Sequence, residues 1–146
     1  MSRVSTYLNF PGTTEAAFTF YASVFGTELS VPFMRFGDMP AGPGAPELPD
    51  DEKSKILHVE LPILDGHVIM ATDMLESMDQ TVRIGNNTTI NLEPDTRDEV
   101  DRLYAALSEG GSDATGINQM PWGAYWGTCL DKFGVRWMFN VTDAEQ

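Results

Sequence analysis

Two ionisable side chains stand two residues apart in an otherwise apolar run, His58 and Glu60 in Ile56-Leu57-His58-Val59-Glu60-Leu61. A neutral imidazole beside a partly desolvated carboxylate can bind a ligand by hydrogen bonds or pass a proton. On a strand, residues i and i+2 point the same way, roughly 6–7 Å apart, so the pair would act together. The plain alternative is a hydrogen-bonded pair that only shapes a wall. Other chemistry is sparse. The second histidine, His67, stands beside a turn, and the single cysteine, Cys129, excludes an intrachain disulfide and a cysteine-clustered zinc site. With no histidine at a motif spacing, Cys129 reads as a small buried hydrophobe. Tyr7 and Asn9 on one strand, and Thr89, Asn91 and Glu93 on another, can offer polar groups to a ligand. Trp122, Tyr125, Trp126, Trp137, Phe33, Phe36, Met70 and Met138 supply the aromatic and soft apolar surface that lines small-molecule pockets. Core packing or a dimer interface accounts for such residues equally well. No pattern assigns a catalytic residue.

The elements that must position these groups follow from periodicity. A strand around residues 7–10 ends at Pro11-Gly12. A helix over 13–25 follows, with Thr13 or Thr14 as its cap, Glu15 in its first turn and Gly26 as its stop. Ala17, Phe18, Tyr21, Val24 and Phe25 form its apolar stripe. Residues 28–36 read as a strand that Pro32 confines to an edge. Residues 37–51, rich in Gly, Pro and acids, read as a loop, either a lid or a solvated connector. The clearest hairpin joins 55–63 to 67–73 through Leu64-Asp65-Gly66. Alternation places Leu57, Val59, Leu61 and Ile63 on its apolar face, and Ile56, His58, Glu60 and Pro62 on the other.

After a crossover over 74–87 the pattern restarts, with a strand over 88–92 and a break at Pro94-Asp95. Thr96-Arg97-Asp98-Glu99 has capping-box spacing. The helix behind it buries Val100, Leu103, Tyr104 and Leu107 and stops at Gly110-Gly111. Strands near 116–118, over 124–130 and over 135–141 complete it, the last two joined by Asp131-Lys132-Phe133-Gly134. A shift of 83 residues superposes Pro11 on Pro94, Thr13 on Thr96, Ala17 on Val100, Tyr21 on Tyr104 and Val24 on Leu107. The expected fold is therefore α+β: two paired βαβββ modules, about 4–80 and 86–143 of a single domain. Their curved mixed sheets enclose a cavity, with the helices on the outer faces.

Nine Lys and Arg against 22 Asp and Glu give a net charge of −13 over 146 residues. An acidic protein repels phosphate backbones and anionic membranes, so neither nucleic acid nor membrane is an expected partner. No apolar stretch approaches the roughly 20 residues of a membrane span, and the first residues lack a signal peptide's apolar core. A cytoplasmic protein is expected. Arg136 is expected to pair with an acid across its sheet.

Several segments carry a resemblance. They include Tyr7-Leu8-Asn9-Phe10-x-Gly12, Glu15-Ala16 with Phe20-Tyr21 and Phe25-Gly26, and Phe36-Gly37-Asp38-Met39-Pro40. Met70-Ala71-Thr72-Asp73, Trp122-Gly123-Ala124-Tyr125-Trp126-Gly127 and Asp131-Lys132-Phe133-Gly134-Val135-Arg136-Trp137-Met138 follow. In this order they resemble the PhnB-like family of the vicinal oxygen chelate, or glyoxalase/bleomycin resistance, superfamily. Members often bear a demethylubiquinone methyltransferase-like label. The resemblance implies a homodimer of paired βαβββ modules with one cavity per subunit. It also implies four metal-ligand positions, one on each of four equivalent strands. These fall on Thr6 or Tyr7, His58 or Glu60, Thr89 or Asn91, and Met138.

Only the His58/Glu60 position offers a good donor, whereas a catalytic zinc site keeps at least three from protein. The turn Pro11-Gly12-Thr13 lacks the Gly-x-Gly that a nucleotide-like cofactor uses. The expectation is a binder of a small organic ligand without a resident cofactor or metal, contacting it through His58, Glu60, Tyr7, Asn9, Thr89, Asn91, Trp122, Trp126 and Met138. A divalent-metal lyase or dioxygenase, using His58, Glu60 and an acid such as Asp73 or Glu93, is one alternative. An interaction module with a vestigial cavity is the other.

Overall fold

The computed structural model describes residues 2–39, 42–44 and 47–142. The chain divides into two compact units, Met1–Arg83 and Ile84–Gln146.

The first unit contains β1 (Thr6–Phe10), α1 (Thr14–Phe25), β2 (Val31–Arg35), the short α2 (Asp50–Lys53), β3 (Ile56–Pro62) and β4 (Val68–Asp73). Its four-stranded sheet has the order β1-β4-β3-β2, with β1 parallel to β4 and the other pairs antiparallel. Helix α1 forms where the stripe demands it: Ala17, Phe18, Tyr21 and Val24 are all buried against β3 and β4. Fully burying an aliphatic or aromatic side chain of this size is worth about 1.5–3 kcal/mol, so the stripe outweighs intrinsic helix preference. Gly26 ends the helix at φ 65° with its N–H on Ala22 O, a left-handed conformation that side chains resist.

The start of α1 departs from expectation. Thr13 holds the cap position without a side-chain bond. The buried carboxylate of Asp73 does the work instead. Its Oδ1 accepts from Thr14 N at 3.0 Å and its Oδ2 from Ile56 N at 2.8 Å, tying α1 to the start of β3.

β3 also corrects the expected alternation. Val59 and Leu61 are buried as foreseen, but Ile56 is buried and Leu57 only half-buried. The pairing with β2 slips there, Met34 opposite His58 and Arg35 opposite Ile56. Such a bulge turns the following side chains over. Pro32, which cannot donate to a ladder, lies in the same irregular edge strand. The loop expected over 37–51 includes a short turn at Phe36–Asp38 and the start of α2. Its residues 40, 41, 45 and 46 lie outside the described residues, and with them part of the expected lid.

The second unit repeats the architecture with β5 (Ile90–Leu92), α3 (Arg97–Ser108), β6 (Asn118–Gln119), β7 (Ala124–Leu130) and β8 (Arg136–Thr142). Its sheet order is β5-β8-β7-β6, β5 being parallel to β8. Here the expected cap forms, Thr96 Oγ1 accepting from Glu99 N at 3.2 Å. The reciprocal half of the box does not, because Glu99 spends its carboxylate on Arg102 one turn on. Val100, Leu103 and Leu107 are buried as expected. Tyr104 is half-buried instead, its hydroxyl accepting from Gly116 N at 2.9 Å. β7 carries Gly127 where any Cβ would meet Gly116 O at 2.5 Å.

The repeat is real but not uniform. The helices correspond at the expected shift of 83, α1 and α3 having 12 residues each. The last buried residues of the leading strands, Phe10 and Leu92, correspond at 82. One extra residue in the second strand-to-helix link accounts for the difference. In a strand a one-residue slip reverses the faces, so Asn91 matches Asn9, and Phe139 stands where Asp73 does.

Candidate open-face site

With α1 covering one face of the first sheet, the register fixes what the other face presents. Tyr7 lies opposite Met70, and Met70 opposite Glu60. Asn9 lies opposite Thr72, and Met34 opposite His58. Tyr7, Asn9, His58 and Glu60, drawn from two strands that are not neighbours, thus share one surface with Met70 between them.

The charged pair is formed. His58 Nε2 lies 2.9 Å from Glu60 Oε2, with their side chains 27% and 19% exposed, so neither stands in bulk water. Arg3 Nη2 approaches the other carboxylate oxygen at 3.7 Å. The hydrogen bond from His58, and after it the nearby charges of His58 and Arg3, hold the Glu60 carboxyl below its ordinary value of 4.5 against partial burial. An ionised carboxylate only accepts, so the proton between the two belongs to His58 Nε2. His58 Nδ1 then has no hydrogen-bond partner among the described residues and, in the neutral ring, is an acceptor. The Tyr7 ring lies 6.2 Å from the imidazole at an interplanar angle of 26°, and is half-exposed. His67, by contrast, spends Nε2 on Thr6 Oγ1 at 2.9 Å and joins β1 to the start of β4.

The remaining expected residues lie in the second unit. Asn91, Met138 and Thr128 form one row of its open face, and Trp126 and Asn140 the next. Asn91 is exposed, while Trp126 and Met138 are half-buried. Thr89 falls outside the short β5 and is exposed, because pairing with β8 begins only at Ile90. Trp122 is 70% exposed in the turn before β7, not on a sheet face. Arg136 does pair with an acid, Asp113, at 3.4 Å.

A cleft of about 290 Å³ went unforeseen. It is lined by residues that include Pro11, Asp51, Lys55, Met74, Glu76 and Gln80, at the ends of β1 and β4. Its residues come from three separate segments of the chain, so no local spacing announced it.

Two four-stranded mixed sheets in repeated βαβββ order, each covered on one face by a helix, define the architecture. The family model of the glyoxalase/bleomycin resistance protein/dioxygenase superfamily matches residues 4–139, nearly the whole chain. The chain belongs to that superfamily. Protein PA1353 from Pseudomonas aeruginosa is similar in structure, with a TM-score of 0.81 and 31% identity over 97% of this chain and 98% of that one. The PhnB protein from Bacillus cereus superposes with a TM-score of 0.70 at 22% identity, covering 97% and 100%. Among curated relatives, Protein YjdN of Escherichia coli (strain K12) is 29% identical over 146 aligned positions, 94% of each protein. The glyoxalase-superfamily fold expected from the resemblance is thus present.

The superfamily's metal can be tested against this donor set. Among the described residues no group of three or more His, Cys, Asp and Glu side chains is placed to hold a metal ion. The two donors that share a face are already hydrogen-bonded to each other, and the Arg3 guanidinium stands 3.7 Å from Glu60. Asp73, an alternative donor, gives both oxygens to backbone N–H groups inside the core. Glu93 is exposed. These residues do not fit the group. Among the described residues no helix is long and apolar enough to cross a membrane.

Proposed function

We propose that this chain binds a small organic molecule on the open face of its first sheet, without a resident metal or other cofactor. The observation that carries the reading is the half-buried His58–Glu60 pair, whose Nδ1 has no partner among the described residues, beside Tyr7 and Met70. Met70 and the Tyr7 ring offer apolar surface to the ligand's carbon body. Nδ1 accepts from a hydroxyl or N–H on the ligand, and Glu60 holds the ring in that tautomer. The phenol of Tyr7 and the amide of Asn9 add groups that donate or accept. This arrangement positions a protic ligand, and no reaction is assigned to it. Association of two copies into a homodimer, and a cytoplasmic setting without nucleic-acid partners, belong to the same proposal.

The test is thermal stabilisation of the purified protein across a panel of metabolites, repeated with His58→Ala. A free ligand at 100 times its Kd adds about 2.7 kcal/mol to stability, which a melting curve resolves easily. The reading expects at least one hit that weakens in the variant. Metal analysis of the untagged protein supplies the contrary outcome. One divalent ion per chain, lost with His58→Ala, overturns the metal-free reading in favour of a metal enzyme.

A further inference from the structure

The cleft at the ends of β1 and β4 brings together charged groups that do not pair with one another. Lys55, half-buried, lines it, and so do the exposed Asp51 and Glu76. Among the described residues the Lys55 ammonium makes no hydrogen bond or ion pair, and neither do the carboxylates of Asp51 and Glu76. Lys53, two residues earlier, shows the usual outcome, with Glu47 and Asp50 on its ammonium at 2.8 and 3.3 Å. The cleft holds its charges apart by construction. The Lys55 ammonium lies against Gly12, where a Cβ would come within 2.7 Å of Nζ and where a φ of 99° favours glycine. Across the cleft Glu52, only 5% exposed, accepts from Ser77 N at 3.2 Å and from the Ser77 hydroxyl. That link ties α2 to the turn Glu76–Met78. Asp51 and Glu76 each directly precede one of its members, so it fixes the backbone that carries both free acids.

We propose that this cleft binds a free basic amino acid, its α-carboxylate on Lys55 and its two cationic groups on Asp51 and Glu76. A partly desolvated ammonium without a counter-ion costs free energy, which a ligand carboxylate offsets. Two unpaired acids against one cation leave a local excess of negative charge. That excess selects a ligand with a net positive charge, and the −13 of the whole chain draws such a ligand in. A monocarboxylate satisfies only the lysine, and a diamine only the acids. Pro11 and Met74 supply apolar wall for the ligand's methylene stem. The volume of about 290 Å³ falls just under the roughly 300–1,000 Å³ of drug-sized sites, which suits a molecule as small as an amino acid. The cleft shares no residue with the open face of the first sheet and stands without that reading.

Calorimetric titration of the full chain with L-ornithine, L-lysine and L-arginine, each against its α-carboxamide, tests it. At least one amino acid is expected to bind, and its amide to bind at least tenfold more weakly despite the added positive charge. L-norleucine, which lacks only the side-chain ammonium of lysine, should also bind more weakly. Lys55→Gln should weaken the amino acid at least tenfold and erase its advantage over the amide. Asp51→Asn and Glu76→Gln should each weaken it, and one of them should erase the preference for lysine over norleucine. All three side chains lack partners among the described residues, so the variants should melt as the parent does. If Lys55→Gln does not fold, the acid–amide contrast and the two exposed variants carry the decision. No binding of any of the three at millimolar concentration, or equal binding of acids and amides, overturns the proposal. So does binding that survives Lys55→Gln and is lost in His58→Ala, an outcome that moves the ligand to the open face and supports the first reading.

Discussion

At the end of β4 the first unit places Asp73, whose carboxylate holds Thr14 N of α1 and Ile56 N of β3. At the matching place on β8 the second unit has Phe139, packed edge-on against Tyr104 of α3 with centroids 5.4 Å apart. The same joint is polar in one unit and apolar in the other, and the helix starts differ accordingly. Where Asp73 reaches the first helical N–H, Thr13 makes no side-chain bond; where Phe139 cannot, Thr96 caps its own helix. The open faces diverge in the same way. The register aligns Thr128 with His58, Leu130 with Glu60 and Arg136 with Met70, so the imidazole–carboxylate pair of one sheet has no ionisable counterpart in the other, which carries a guanidinium where the first has a thioether. Repeating a topology repeats the backbone requirements and leaves the side-chain solutions free.

The largest effect should come from the joint itself. Asp73→Ala leaves two buried N–H groups unpaired, and hydrogen bonds to a charged group are worth about 1.5–3 kcal/mol each. A loss of about 3–5 kcal/mol in urea unfolding is expected. Phe139→Ala should cost about 3–5 kcal/mol, through lost apolar burial and the cavity left behind. A loss below about 1 kcal/mol for Asp73→Ala would break the comparison. The caps sharpen it at smaller scale. Thr96→Ala should cost about 1 kcal/mol and Thr13→Ala only a few tenths, measured by the same unfolding curves; equal costs would mean that Asp73 does not replace the first cap.

The face chemistry predicts a pH signature. Glu60 is held below its ordinary value of 4.5, chiefly by His58, so its contribution to stability is present above that value and lost as pH falls through the lowered one. Glu60→Gln should therefore lower the melting temperature at neutral pH, with the difference closing on acidification below about 4.5. A constant offset across that range would disconnect Glu60 from titration. The smallest effect is a silence. Burial pushes the Cys129 thiol up to about 11, leaving about one thiolate in a thousand at pH 8. Cys129 should resist a thiol reagent in the native protein and react fully in denaturant; fast native labelling would place it in an accessible pocket instead of the core.

Most of the element order was legible because helix and strand periods differ and because Gly and Pro mark the breaks between them. Both helices, the 56–73 hairpin and β7 fall where the apolar spacing puts them. The bulge at Ile56–Leu57 was not legible, since alternation assumes an unbroken ladder. Nor was the role of Asp131, read only as a turn residue. Its carboxylate accepts from Phe133 N, Val135 N and Trp137 Nε1, binding the β7–β8 turn to the core. An Asp that opens a turn closed by Gly is common, and nothing local distinguishes a buried anchor from a solvated one.

Periodicity along the chain is local information, and it was enough to foretell two strand–helix–strand repeats and the common direction of His58 and Glu60. Residue types likewise settle which donors exist for a metal, since they need no coordinates. Only the tertiary fold puts Tyr7 and Met70 beside that pair, lets Asp73 cap a helix 59 residues away, and buries Arg136 Nε and Asn140 Oδ1 with no hydrogen-bond partner among the described residues. Those facts depend on register between distant strands, which no spacing along one segment of the chain fixes.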